Sequence, residues 1–161
     1  PKEDILNTFP KLKTDSNFKV SSNIDAKYNC IAWAAFVDDE YWWPLKEPYI
    51  YDGVRYNWPL APYDDCTLES FIKLYGLYGY NSEADDYSNE HPNFRKIAIY
   101  IKDPPTNPDK MKCECTHDAR EKKDGFWASK LGNQEDIEHA NPYDLESEAY
   151  GKLAIILKKK L

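Results

Sequence analysis

The sequence lacks most of the features that would declare a function at once. No apolar run approaches the roughly 20 residues that a membrane span needs; Leu153 to Leu157, for one, is the length of a strand. There is no glycine-rich loop to cradle a phosphate, no G-x-S-x-G and no H-E-x-x-H, so nucleotide binding, α/β-hydrolase and zincin chemistry have no signature here. Histidine is scarce, with 3 in 161 residues, which leaves a small pool of bases. Cysteine is nearly so: Cys30, Cys66, Cys113 and Cys115 do not have the spacing of a disulfide-dense domain, and a chain of this length needs no staple. Positive charge is in deficit, 21 Lys+Arg against 28 Asp+Glu. The net charge of −7 repels phosphate backbones and argues against a nucleic-acid partner, as the missing apolar run argues against a membrane one. No signal peptide is visible and the first residue is Pro1, so the location stays open between the cytoplasm and export by a route without a signal peptide.

What is present is a globular composition, 42% apolar and 30% charged, with 15% aromatic residues. Residues 1–22 lack clear periodicity and read as an arm or lead-in to a single domain over 23–161. Cys30 to Val37 is Ala-rich and apolar all round, which predicts a short buried helix with Asn29 or Asp25 as its cap. Between Tyr41 and Tyr63 the density of prolines and aromatics predicts a long ordered loop, because proline breaks helices and central strands. Leu68, Phe71, Ile72 and Tyr75 fall at helical spacing, with Asp65 or Thr67 as cap. Strands follow at Phe94–Ile101, Met111–Glu121, Phe126–Leu131 and Lys152–Lys159; Gln134–His139 reads as short and polar, and Pro142–Glu148 as one helical turn. Early helices and a late antiparallel meander make the class α+β.

Two residue types carry the chemistry. A cysteine opening a helix faces free N–H groups and the positive end of the helix dipole, which favour a nucleophilic thiolate; that is the position of Cys30. A base for it must arrive through space, and His117, within a predicted strand, is the candidate. If Lys123-Asp124-Gly125 is a three-residue turn with Gly125 left-handed, Lys122 pairs with Phe126, and Ser129 becomes the diagonal neighbour of His117, able to orient its ring. Lys130, Asn133 and Asp136 are alternative orienters. Trp42, Trp43 and Trp58 either wall a cleft or pack the loop, and Asn29, Lys130, Glu138 and His139 either rim the site or close the meander. A competing reading takes Cys113, Cys115 and His117 with Cys30 as a structural zinc set, against which same-face strand residues stand about 6.6–6.8 Å apart and splay. The favoured reading calls for no metal and no cofactor.

Taken together, Tyr28-Asn29-Cys30-Ile31-Ala32-Trp33-Ala34, Trp42-Trp43-Pro44, Trp58-Pro59, Thr116-His117-Asp118-Ala119-Arg120, Trp127-Ala128-Ser129-Lys130-Leu131-Gly132 and Asp136-Ile137-Glu138-His139 resemble a family of uncharacterised bacterial proteins. More distantly, the order of parts is similar to papain-like cysteine hydrolases of the NlpC/P60 and CHAP type. Those have a cysteine opening a helix, a histidine starting a strand and a polar orienter on the next strand. The resemblance implies a papain-like fold with Cys30 as nucleophile, His117 as base and Ser129 as orienter. It implies an amidase, peptidase or deamidase acting on a peptide or amide substrate, cell-wall peptide or protein. The alternative is a non-catalytic binding or immunity-type module on a decayed hydrolase fold.

Overall fold

The computed structural model describes residues 2–22, 27–61, 65–81, 94–102, 115–122, 124–131 and 135–160. Among the described residues there are three α-helices and nine strands, the strands lying in two sheets, a mixed α+β architecture. The helices are α1 (Lys2–Thr8), α2 (Cys30–Ala34) and α3 (Leu68–Gly76). The strands are β1 (Lys19–Val20), β2 (Glu40–Trp42), β3 (Tyr49–Tyr51), β4 (Val54–Asn57), β5 (Phe94–Ile101), β6 (Cys115–Glu121), β7 (Trp127–Lys130), β8 (Asp136–His139) and β9 (Lys152–Lys160). The large sheet has the order β1-β8-β7-β6-β5-β9, and every pairing in it is antiparallel. The small one is β2-β4-β3.

Alternation along the strands gives the large sheet two apolar faces. Ile97, Ile99 and Leu157 pack with α2 and α3 through Ile31, Ala34, Phe71, Leu74 and Tyr75. Ala98, Tyr100, Ala119, Trp127, Ile137 and Ile156 form the second face. That face is covered by Ile5 of α1, Phe9, Leu12 of the 3₁₀ turn Pro10–Thr14, and Leu145 of the 3₁₀ turn Pro142–Leu145. Residues 2–22 are therefore structural, not an arm: the chain needs them because a sheet apolar on both faces must be covered on both. Lys19 and Val20 add an edge strand to β8.

Three further expectations are corrected. The aromatic segment is not loop throughout: β2, β3 and β4 form a sheet inside it, and Pro44, Pro48 and Pro59 all fall outside those strands, where no ladder N–H is needed. Asp136–His139 is a strand, hydrogen-bonded on one side to β7 and on the other to β1. Cys66 is disulfide-bonded, where the sequence spacing gave no reason to expect a staple. Asp25, Cys113, Lys123 and Asn133 lie outside the described residues.

The β6–β7 hairpin has the register that a three-residue turn requires. Lys122 N–H donates to Phe126 O at 2.7 Å, Gly125 N–H donates to Lys122 O at 3.0 Å, and Gly125 has φ +85°. Ala119 is then opposite Ser129 and Glu121 opposite Trp127.

Candidate functional site

Cys30 is the first residue of α2, and its position is fixed from outside the helix. Asn29 accepts from Ala32 N–H through Oδ1 at 3.3 Å, capping the helix, and the same oxygen accepts from Trp42 N–H at 3.1 Å. Its Nδ2 donates to Trp42 O at 2.6 Å. One buried amide thus ties the start of α2 to β2, and it is fully engaged in doing so. Tyr75 of α3 completes the frame, its hydroxyl 2.9 Å from both Ile31 O and Asp118 Oδ2.

His117 is delivered by β6, opposite Tyr100 of β5. Its ring stacks on Tyr150, centroids 4.3 Å apart and planes 6° from parallel, and stands 5.4 Å from the ring of Tyr100. It is 1% exposed, yet neither ring nitrogen has a hydrogen-bond partner among the described residues. Since buried polar groups are normally paired, this imidazole stands out.

Cys30 and His117 line one cavity of about 240 Å³. Asn29, Ile31, Tyr41, Trp43, Phe71, Cys115, Thr116 and Tyr150 complete much of its wall. No hydrogen bond joins the two residues.

The remaining sequence candidates divide. Ser129 shares the face of His117, but its Oγ lies 2.9 Å from Nε2 of His139, a residue the sequence leaves between rimming the site and closing the meander. The other nitrogen of His139, Nδ1, lies 2.9 Å from Asn141 O, so Nδ1 carries the proton and Nε2 accepts from the serine. Ser129 orients His139 rather than His117 because β8, unrecognised as a strand, brings that imidazole alongside β7. Lys130 and Asp136, the alternative orienters, are opposite each other on β7 and β8. They gather around Tyr28, with Lys130 Nζ 5.0 Å from its ring centre and Asp136 Oδ2 accepting from its hydroxyl at 3.2 Å. They alternate away from Ser129. Trp43 lines the cavity, whereas Trp58 is core, packed 5.3 Å from Phe71. Glu138 accepts from Lys122 and pairs with Lys19 at 2.8 Å. Tyr41, Phe71 and Tyr150 were missed; Tyr41 alone had a signal, its place in the aromatic segment. Among the described residues no group of three or more His, Cys, Asp or Glu is arranged to hold a metal ion.

Electrostatics at the site follow from burial. The Cys30 thiol is pushed up to about 12, first by burial and then by the nearby Asp118 carboxylate, against weaker help from backbone N–H groups of Asp118, Ile31 and Cys30 itself. Burial raises Asp118 to about 7, opposed by the hydrogen bond from Tyr75. Burial holds His117 well below the ordinary histidine value, with His139 adding to the shift, and burial lowers His139 to about 4. The resting pair is a neutral thiol and a neutral imidazole.

The fold and this cavity define an α+β domain with a cysteine and a histidine brought from α2 and β6 to one pocket. The chain belongs to the DUF7689 family, a domain of unknown function, whose model matches residues 19–158. No curated protein and no solved structure matches it.

Proposed function

We propose that the domain is a cysteine-dependent amide hydrolase, an amidase, peptidase or deamidase with a papain-like order of parts. One observation carries the reading: Cys30 lines the same cavity as a fully buried His117 whose ring nitrogens have no hydrogen-bond partner among the described residues. A buried imidazole with two idle nitrogens is costly to keep, and a thiol proton or a leaving amine would satisfy it.

In this scheme His117 takes the Sγ proton as sulfur attacks the carbonyl carbon of the substrate. The backbone N–H groups at the start of α2 hold the oxyanion. The C–N bond breaks, His117 returns the proton to the departing amine, and a thioester to Cys30 remains. Water then attacks the thioester with His117 as base, releasing the carboxylic acid and restoring the thiol. Because both groups rest neutral, proton transfer accompanies attack rather than preceding it. Tyr150, stacked on the ring, is its positioning residue.

The second reading is a non-catalytic binding module. It is favoured by the thiol held near 12 and by the missing hydrogen bond between Cys30 and His117. Alkylation of Cys30 by iodoacetamide across pH, followed by peptide mass spectrometry in the parent and in His117→Ala, separates the two. The hydrolase reading expects reaction below the free-cysteine value of about 8.5 that drops about ten-fold or more without His117. A slow rate that rises only in strong alkali, identical in both proteins, assigns Cys30 to the core and leaves the binding module.

A further inference from the structure

The cavity is small and its wall is uncharged. Around Cys30 and His117 it presents Ile31, Tyr41, Trp43, Phe71 and Tyr150, with no Asp, Glu, Lys or Arg among its described lining. At about 240 Å³ it falls below the 300–1,000 Å³ of pockets for drug-sized ligands, and suits one side chain rather than a whole metabolite. A charged side chain placed there would lose its hydration with no counter-charge in the described wall, and the nearby carboxylate, Asp118, is itself shifted by burial toward its neutral form.

A second, separate feature starts at the same wall. Across the small sheet, Tyr41 on β2 is opposite Tyr56 on β4, which is opposite Tyr49 on β3. The rings touch in sequence, with centroids 4.9 Å apart for Tyr41–Tyr56 and 5.0 Å for Tyr56–Tyr49. The row therefore runs about 10 Å from the cavity wall to open surface, the span of three extended residues. At its outer end Tyr49, Ile50 and Tyr51 are 50%, 75% and 69% exposed, three consecutive large apolar residues on an edge strand. Edges of this kind are normally blunted with charge or proline, and apolar ones mark contact surfaces. Tyr49 and Tyr56 are within 2° of parallel and face each other, so the faces between them are closed to a ligand, while Tyr49 and Tyr51 stay half or more exposed. Hydroxyls and apolar edges suit a polypeptide, and the net charge of −7 disfavours an anionic one.

Resting on the hydrolase reading, we infer that the substrate is an extended, uncharged peptide segment. Its side chain beside the scissile bond is apolar or aromatic and fills the Cys30–His117 cavity, and its flanking residues cross the Tyr41–Tyr56–Tyr49 row. Anionic cell-wall stem peptides fall outside this class.

The test uses peptide electrophiles of both polarities, chloromethyl ketones and chloroacetyl peptides, carrying Phe, Glu or Lys next to the warhead, alone or extended by three uncharged residues. Labelling of Cys30 is followed by intact-protein mass spectrometry in the parent, in His117→Ala and in Tyr49→Ser, with circular dichroism to confirm folding. The expected result is His117-dependent labelling, about ten-fold or more faster with Phe than with Glu or Lys, and faster again on extension in at least one polarity, a gain that Tyr49→Ser removes. His117-dependent labelling that treats Phe, Glu and Lys alike overturns the substrate class and leaves the hydrolase standing. Selectivity without extension gain in either polarity overturns the row. Labelling that ignores His117 overturns the hydrolase reading itself.

Discussion

Asp118 acts on the Cys30 thiol without facing His117. Its carboxylate stands among the causes that hold the thiol high, second after burial. Asp118→Asn keeps the shape and an oxygen for Tyr75 while removing that charge. Cys30 in the variant is expected to alkylate about ten-fold or more faster than the parent at pH 8, a downward shift of about one unit or more in the thiol. The same substitution changes the response to pH. Asp118 is raised to about 7 from an ordinary 3.8, so the native state holds a proton that the unfolded chain has released, and stability from this group is lost as pH rises from about 4 to 7. His117 and His139 act oppositely: their values lie below 6.5, so their contribution is present above 6.5 and lost on acidification toward 4. Without Asp118 to offset them, the variant is expected to lose stability relative to the parent by about 1.4 kcal/mol per pH unit between 6.5 and 4.5, read by urea denaturation. Parallel profiles would show that Asp118 stays ionised when buried.

The element that places Tyr150 against His117 is the tight turn into β9. Ser147 and Gly151 exchange backbone hydrogen bonds, Ser147 N–H to Gly151 O at 3.1 Å and Gly151 N–H to Ser147 O at 2.8 Å. Gly151 has φ +73°, and a Cβ there would stand 2.0 Å from the carbonyl oxygen of Ile101. Both the backbone sign and the close approach of β5 demand glycine. Gly151→Ala is expected to cost about 2–4 kcal/mol and lower the melting temperature by roughly 5–15 °C in a calorimetric scan. Because it shifts Tyr150, it is also expected to alter the pH profile of Cys30 alkylation. The helix start at Cys30 and the hairpin at Gly125 were both readable in the sequence, since Asn29 and Gly125 act locally. β8 was not, because Asp136-Ile137-Glu138-His139 is polar by count and becomes a strand only through pairing with β7 and β1.

At the scale of the whole molecule, the N-terminal segment is a cover for the second face of the large sheet. Phe9 is 4% exposed and packs 4.8 Å from the ring of Tyr150, which in turn stacks on His117. Asp15 accepts from Ala140 N–H at 2.6 Å, and Lys11 pairs with Glu146 at 3.1 Å, fastening the same segment beside the 3₁₀ turn Pro142–Leu145. Phe9→Ala is expected to destabilise the domain by about 3–5 kcal/mol in chemical denaturation, the cost of removing a buried ring. A free arm would leave stability unchanged. No helix among the described residues is long and apolar enough to cross a membrane.

By itself the sequence determined what is local: a helix start at Cys30 capped by Asn29 or Asp25, the helical spacing at Leu68, Phe71, Ile72 and Tyr75, the alternation in β5 and, given a three-residue turn at Gly125, the hairpin register. Each depends on contacts within a few residues, where side-chain chemistry and backbone sign suffice. It also singled out Cys30 and His117, since a helix-opening cysteine and a scarce histidine are visible without a structure. Only the tertiary structure decided that these two share a cavity, that Ser129 turns to His139, that Asp118 stands beside the thiol, and that residues 2–22 seal the sheet. Those facts depend on which strand lies next to which and on what burial does to a charge, and neither is written in any one stretch of the chain.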